Sequence, residues 1–213
     1  MLETTAVQRP DDAELLLGVD LDGEVTPDEP GGLTDYTDPD GSPGVDSAGT
    51  IMDAFLEALF GHGVDEVVAG QSIDLDLMFE RDLDGLCTGL SVGLAGEAPV
   101  VADWNGTTYR AYDLGSVPFA LAFRDITTPV SLRDVAVRFE IDDGEITNVV
   151  VGGWISTPEM LDAMLAGLDA VDVSDLGDIE ADLMRLLPYS ADMDIDAEGA
   201  GAGFSFMFRV DVR

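Results

Sequence analysis

The sequence predicts a mainly β fold of the α+β class: an antiparallel β-sandwich with about three helices in its connections. Apolar and polar residues alternate with a period of two in four separate segments, which is typical of strands that bury one face. Asp-Gly and Asn-Gly pairs, which favour tight turns, accompany these segments. Apolar residues make up 46% of the chain, enough to bury a core despite a net charge of −35.

Composition divides the chain into two parts. Residues 1–48 form an acidic N-terminal segment, rich in Asp, Gly and Pro and poor in apolar periodicity from residue 20 onward. This segment is predicted either to become ordered around a ligand or to be a flexible extension. Residues 49–213 carry the periodic patterns and are predicted to form a globular β-rich domain.

The first predicted helix starts near residue 49, with Asp46 or Ser47 as its N-cap and Gly61 at its C-terminal end. The helix is recognised by one apolar stripe, which consists of Ile51, Met52, Phe55, Leu56, Leu59 and Phe60. The next segment, 73–79, alternates apolar and more polar residues, so a half-buried strand is predicted there.

The clearest hairpin surrounds residues 143–144, an Asp-Gly pair that tolerates the positive φ of a type I′ turn. A two-residue loop makes Ile141 face Ile146. It also makes Val137 face Val150, so that both strands bury the same face.

Two more helices are predicted after this hairpin. The first has Ser156 or Thr157 as its cap and Pro158 at its first position. The second runs from about residue 175 to residue 187 and ends at Pro188. The chain then closes with alternating apolar residues on either side of a glycine-rich turn.

The net charge excludes two classes of partner. The chain has 44 acidic and nine basic residues, and all nine are arginine. Such a surface repels nucleic acid and anionic lipid headgroups, so neither is predicted as a partner. Two interpretations stay open: a halophilic surface that salt solvates, or a set of discrete cation sites. The 31 Asp against 13 Glu favour cation sites, because Asp suits turns and oxygen-ligand loops.

The best metal motif is the segment 18–29, which matches most of a twelve-residue calcium loop. Asp20 and Asp22 take ligand positions three and five, and Glu29 takes the bidentate position twelve. Gly18 stands where the first carboxylate belongs, and no helical patterns flank the segment. A calcium site is therefore weighed against an acidic turn that holds no ligand.

Further acidic clusters repeat the Asp-x-Asp-Gly core. The second cluster lacks the terminal Glu and consists of Asp35, Asp38, Asp40 and Asp46. The third consists of Glu80, Asp82 and Asp84. Each cluster by itself fits an ordinary Asp-Gly turn as well as a metal site. Because two of these cores lie within the first 41 residues, calcium is the candidate cofactor of the N-terminal segment. One alternating row is predicted to be the exposed face of a strand: Asp192, Asp194 and Asp196.

Catalytic motifs are absent from the sequence. His62, the only histidine, follows the first helix, where it is predicted to cap the C-terminus. Cys87, the only cysteine, is predicted to be buried filler and leaves no intramolecular disulfide to form. No Gly-x-Ser-x-Gly elbow, HExxH motif or P-loop occurs. A pair of carboxylates that hydrolyses glycosides is not excluded. With 44 acidic residues, some pair always falls near the separation that this chemistry requires, so such a pair carries no information.

Aromatic residues supply one candidate ligand surface. Trp104 and Tyr109 flank the Asn-Gly pair at 105–106, which is typical of a hairpin turn. The two rings are predicted either to form an aromatic lip that binds a ligand or only to pack beside the turn.

Localisation is first predicted from hydropathy. No apolar run reaches the ~18 residues that a membrane span needs. The first ten residues lack the basic and then apolar pattern of a signal peptide. The chain is therefore expected to be either cytosolic or a mature form whose leader was removed.

Several stretches together resemble a known group of proteins. They are the opening into Gly44-Val45-Asp46-Ser47-Ala48-Gly49, the strand Ile73 to Phe79, the turn Asp103-Trp104-Asn105-Gly106, and the stretch Val130 to Trp154 with Asn148 and Gly152-Gly153. In these the chain resembles a group of uncharacterised secreted or lipid-anchored surface proteins of myxobacteria. The resemblance implies an extracellular or cell-surface location and carries no known activity.

These patterns favour a non-enzymatic extracellular or cell-surface module that calcium stabilises and that binds a protein or a glycan. The alternative is an acidic structural or cytosolic protein of a halophile that has no specific metal site. A hydrolase that uses acidic side chains is the third interpretation.

Overall fold

A computed structural model describes residues 2–7, 21, 48–68, 70–81, 87–123, 126–143, 145–169, 176–193 and 200–212. The strands are β1 (Leu2–Val7), β2 (Ser72–Ile73), β3 (Leu75–Arg81), β4 (Cys87–Leu94), β5 (Val100–Val101), β6 (Asp103–Trp104), β7 (Tyr109–Ala111), β8 (Val117–Phe123), β9 (Ile126–Asp142), β10 (Glu145–Ser156) and β11 (Gly203–Val212). The helices are α1 (Gly49–Phe60), α2 (Val64–Val68), α3 (Thr157–Asp169) and α4 (Leu176–Leu186), and a 3-10 turn, Leu187–Ser190, follows α4.

The described strands form two antiparallel sheets. The larger sheet has the order β2-β1-β11-β10-β9-β7-β6, and β8 pairs with the first part of β9. The smaller sheet has the order β3-β4-β5. Both sheets and the helices contribute buried apolar side chains to one core, which contains Phe60, Val92, Leu121, Val151, Met164 and Phe206. The predicted mainly antiparallel β fold is confirmed, and its two sheets share one core as a sandwich requires.

Helix α1 begins and ends as its sequence predicts, but its N-cap differs. The N-cap is Ala48, which offers no side-chain acceptor, whereas the predicted caps, Asp46 and Ser47, lie outside the described residues. The Ala48 N–H instead donates to the carbonyl of Ser205 in β11, which positions the start of the helix against the sheet. Gly61 has a φ of 67° and closes the last turn, as predicted.

Helix α3 begins directly after Ser156, whose hydroxyl caps the first turn. The Ser156 hydroxyl accepts the Glu159 N–H at 3.4 Å and donates to the Glu159 carboxylate. Ser156 is thus the cap, and Pro158 occupies the second helical position rather than the predicted first one. Helix α2 was not predicted, because five residues are too few to show helical periodicity.

The β9–β10 hairpin confirms the predicted turn. Asp143 has a φ of 48°, in the left-handed region that a type I′ turn requires. Ile141 pairs with Ile146 next to the turn, as predicted.

Farther from the turn the predicted register is wrong. Val137 pairs with Val151 and not with Val150, because a β-bulge adds one residue to β10. Asn148, with a φ of 50°, lies at this bulge. A second irregularity beside Asp134, whose φ is 46°, adds one residue to β9 and restores the original register. Between the two bulges Val151 therefore lies in the core and Val150 on the opposite face of the sheet, whereas Val137 of β9 keeps the core face that the turn sets.

Candidate binding site

The two predicted aromatic residues lie together at the edge of the larger sheet. Trp104 pairs with Tyr109 of the next strand, and Tyr109 pairs with Phe139 of β9. The ring centroids of Trp104 and Tyr109 are 4.6 Å apart, and those of Tyr109 and Phe139 are 5.5 Å apart with nearly parallel planes. The three rings form an aromatic ladder from the sheet edge to the core, where Phe139 is buried.

The turn between β6 and β7 is organised by Asn105. Its side-chain carbonyl oxygen accepts the backbone N–H groups of Thr107 and Thr108 at 3.0 and 2.9 Å, and it also accepts both hydroxyl groups. Gly106 has a φ of 107°, which favours glycine. The predicted Asn-Gly turn is confirmed, and its hydrogen bonds hold the end of the ladder in one geometry.

Exposure separates Trp104 from the rest of the aromatic ladder. Trp104 is 53% exposed, whereas Tyr109 is partly buried and Phe139 is buried. The face of an indole ring carries partial negative charge, so it attracts the C–H groups of a sugar ring or a cation. The structure therefore brings the predicted pair together and leaves about half of the Trp104 surface exposed to solvent.

The predicted calcium ligands lie outside the described residues: Asp20, Asp22, Glu29, Asp35, Asp38, Asp40 and Asp46. The same holds for Asp82, Asp84, Asp194 and Asp196. Within the described ranges, no group of three or more His, Cys, Asp or Glu side chains is arranged to hold a metal ion. The calcium site stays a prediction.

His62 does not cap α1, contrary to the prediction, because Gly61 provides the cap. The Gly61 N–H donates to the Glu57 carbonyl at 2.9 Å. His62 Nδ1 instead lies 2.7 Å from a carboxylate oxygen of Glu66, which joins the loop to the exposed side of α2. Cys87 begins β4, and its side chain lies outside the described part of the structure.

Asp192 is buried, so the predicted exposed face is wrong at this position. Its carboxylate accepts the Ser205 N–H at 2.8 Å and also the Ser205 hydroxyl. The Ser205 carbonyl and hydroxyl oxygens accept the Ala48 N–H at 3.1 and 3.2 Å. Ser205 is 0% exposed and cannot meet a substrate, so this network ties three chain segments together rather than performing chemistry.

A second polar cluster surrounds the start of α3. Burial raises the pKa of Glu159, but hydrogen bonds from Ser156 and Arg133 and the positive charge of Arg133 outweigh burial and hold that pKa below its ordinary value. Arg133 also lies over the ring of Trp154, 5.6 Å from its centroid, and the Trp154 Nε1–H donates to Asp134 at 2.6 Å. These contacts link β9, β10 and the start of α3, so the cluster stabilises their junction. Only the Ser156 cap was recognisable in the sequence.

Comparison of the chain with models of protein families, with curated proteins and with solved structures finds no match. Among the helices of the described residues, none is both long and apolar enough to cross a membrane. The resemblance to myxobacterial surface proteins therefore stays a prediction from the sequence.

Proposed function

We propose that this chain is a non-enzymatic binding module of the cell surface or the extracellular space, and that Trp104 and Tyr109 contact its ligand. The observation that carries the proposal is the 53% exposure of Trp104 at the end of the aromatic ladder. Trp and Tyr dominate the residues that contribute most to binding energy. The Asn105 turn holds the edge before any ligand arrives, so little ordering entropy is lost on binding.

A neutral glycan is the ligand class that fits this surface best. The apolar C–H face of a sugar ring packs on the negative face of an aromatic ring. An uncharged sugar also meets no repulsion from a chain with a net charge of −35. A protein partner is the alternative, but a stable protein interface buries about 1,200–2,000 Å² in total, far more than two aromatic side chains offer.

Binding to a panel of neutral oligosaccharides tests this proposal, followed by calorimetry with the best binder. Trp104→Ala should weaken binding by about 2 kcal/mol, roughly 30-fold, whereas Trp104→Phe should keep part of the affinity. Tyr189→Ala is the matched control, because Tyr189 is 56% exposed and lies outside the aromatic ladder. Equal affinity of Trp104→Ala and the unaltered chain would contradict the proposed site. Binding of a protein but of no glycan would contradict the ligand class.

We also propose that calcium stabilises the module through the acidic N-terminal segment, as the match of residues 18–29 to a calcium loop implies. When the free calcium concentration is 100 times the Kd of a site, binding adds about 2.7 kcal/mol to the free energy of unfolding. A few millimolar calcium should therefore raise the melting temperature more than the same concentration of magnesium at fixed ionic strength. The triple variant Asp20→Ala, Asp22→Ala, Glu29→Ala should lose most of that increment. Equal responses to both metals would favour the halophilic surface instead.

A further inference from the structure

The turn between β6 and β7 contains the dipeptide Asn105-Gly106, in which the residue after the asparagine has no side chain to hinder the asparagine amide. Residues 105–107 are all exposed. A Cβ built on Gly106 would meet no atom within 4 Å, so water and solvent bases reach the main chain there. The turn therefore places a glycine nitrogen and an asparagine amide next to each other in open solvent.

The main-chain nitrogen of Gly106 differs from its neighbours in the turn. Its N–H donates to no acceptor in the described part of the chain. The N–H groups of Asn105, Thr107 and Thr108 all donate within the turn. A nitrogen whose N–H is hydrogen-bonded must lose that bond before it can attack a carbonyl carbon, which costs free energy. The Gly106 nitrogen has no such bond to lose.

The side-chain oxygen of Asn105 accepts four hydrogen bonds. Two come from the backbone N–H groups of Thr107 and Thr108, at 3.0 and 2.9 Å, and two come from their hydroxyl groups, at 3.1 and 3.2 Å. Donors at such distances from a carbonyl oxygen stabilise the negative charge that develops on it when a nucleophile attacks the carbonyl carbon. The fold thus surrounds Asn105 Oδ1 as an oxyanion hole surrounds the oxygen of a substrate.

We propose that this turn is a site of self-modification, at which Asn105 loses its amide nitrogen as ammonia through a succinimide. The Gly106 N–H gives its proton to a solvent base, and the nitrogen forms a bond to Cγ of Asn105, which closes a five-membered ring. The carbonyl electron pair moves onto Oδ1, where the four donors stabilise the charge. The pair then returns as the Cγ–Nδ2 bond breaks, and Nδ2 takes up a proton from solvent and leaves as ammonia. Water opens the ring at either of its carbonyls and yields an aspartate or an isoaspartate.

The isoaspartate product alters the sheet edge that carries Trp104. It lengthens the main chain by one carbon between Trp104 and Tyr109, which pair across the turn. It also moves the former side-chain carbonyl of residue 105 into the main chain, so the hydrogen bonds to Thr107 and Thr108 cannot all persist. The ring of Trp104 then loses its fixed position against Tyr109. The reaction is a property of the turn and needs no ligand, so it stands or fails separately from the proposed binding function.

Incubation of the full-length chain at mildly alkaline pH tests the proposal, with mass spectrometry and isoaspartate detection in the peptide that trypsin releases at Arg110. Conversion at residue 105 should be faster in the folded chain than in the chain unfolded by guanidinium chloride, because only the fold positions the four donors. Thr107→Val removes one hydroxyl donor. Loss of one donor slows an enzyme by about 10²–10³, but three donors remain here and water reaches the turn, so we expect a rate about tenfold lower. Thr107→Ser keeps the hydroxyl and should keep the rate.

Asn148 is the internal control, because it is the only other asparagine of the chain. The branched Val149 follows it, and its Nδ2 donates to the Glu140 carboxylate at 2.8 Å, so Asn148 should stay unmodified. The proposal is overturned if Asn105 reacts more slowly in the folded chain than in the unfolded chain. It is also overturned if folded Thr107→Val reacts as fast as the unaltered chain or faster, since the hydrogen bonds would then restrain the amide rather than activate it. If Thr107→Val does not fold, the comparison of the folded and unfolded unaltered chain decides.

Discussion

Replacing Asp192 with alanine removes the acceptor at the centre of the network that joins the start of α1 to β11. The carboxylate accepts two hydrogen bonds from Ser205, one from its N–H at 2.8 Å and one from its hydroxyl. Ser205 is 0% exposed, so water cannot replace the lost acceptor. A buried N–H without a partner costs about 1–3 kcal/mol, and loss of the second hydrogen bond adds about 1 kcal/mol. We expect Asp192→Ala to lower the free energy of unfolding by about 2–4 kcal/mol.

Urea unfolding at pH 7 measures this change directly, provided that the slope of free energy against urea stays constant. For a chain of this length, the loss corresponds to a melting temperature lower by roughly 4–16 °C. Asp192→Asn should cost less, because its amide oxygen still accepts the Ser205 N–H. Asp76→Ala, at an exposed position of β3, is the matched control and should change stability by less than about 0.5 kcal/mol. If Asp192→Ala and Asp76→Ala unfold at the same urea concentration, the network does not stabilise the fold as argued.

Three further predictions concern the sheet and its junctions. Gly203→Ala should lower the free energy of unfolding by about 1–3 kcal/mol, because a Cβ there would lie 2.3 Å from the Trp154 ring. In a Trp104→Phe background, the fluorescence of Trp154 should report the displaced ring. An unchanged Trp154 spectrum would refute the contact. Asn148→Val should lower the free energy of unfolding, measured in urea, by about 1–2 kcal/mol, because a valine is strained at the φ of 50° that the bulge requires. Asn148→Gly should be tolerated, because glycine adopts this φ without strain. Equal stabilities of the two variants would argue against the bulge. The pKa of Glu159 is held below its ordinary value, so the ionised carboxylate should stabilise the fold fully at pH values above the ordinary pKa, and this stabilisation should vanish as the pH falls through the lowered pKa. Glu159→Gln should therefore be less stable than the unaltered chain at neutral pH and equally stable in strong acid. A stability difference that does not change with pH would contradict this.

Local patterns in the sequence determined the elements that depend on neighbouring residues. The stripe from Ile51 to Phe60 and the glycine after it predicted α1 and its end, because helical faces and αL caps involve residues within one or two turns. The Asp-Gly turn of the β9–β10 hairpin and the Asn-Gly turn before Tyr109 were recognisable for the same reason. Since that second turn sets the pairing of Trp104 with Tyr109, the candidate ligand surface was also predictable.

Only the tertiary structure decided which residues distant along the chain meet. The bulge at Asn148 shifts the hairpin register, and no local rule predicted it, because Asn is also common in ordinary turns. Asp192 lies in an alternating acidic pattern typical of an exposed strand, yet Ser205, thirteen residues later, supplies the donors that allow its burial. Arg110, Arg138 and Arg209 belong to three different strands, and they come to lie in one row across the sheet only when these strands pair in register. The alternation of side chains along a strand predicts which face of the sheet a residue lies on. Its partners on neighbouring strands depend on long-range pairings, which must offset the entropy of closing the intervening loops, and the local sequence does not specify them.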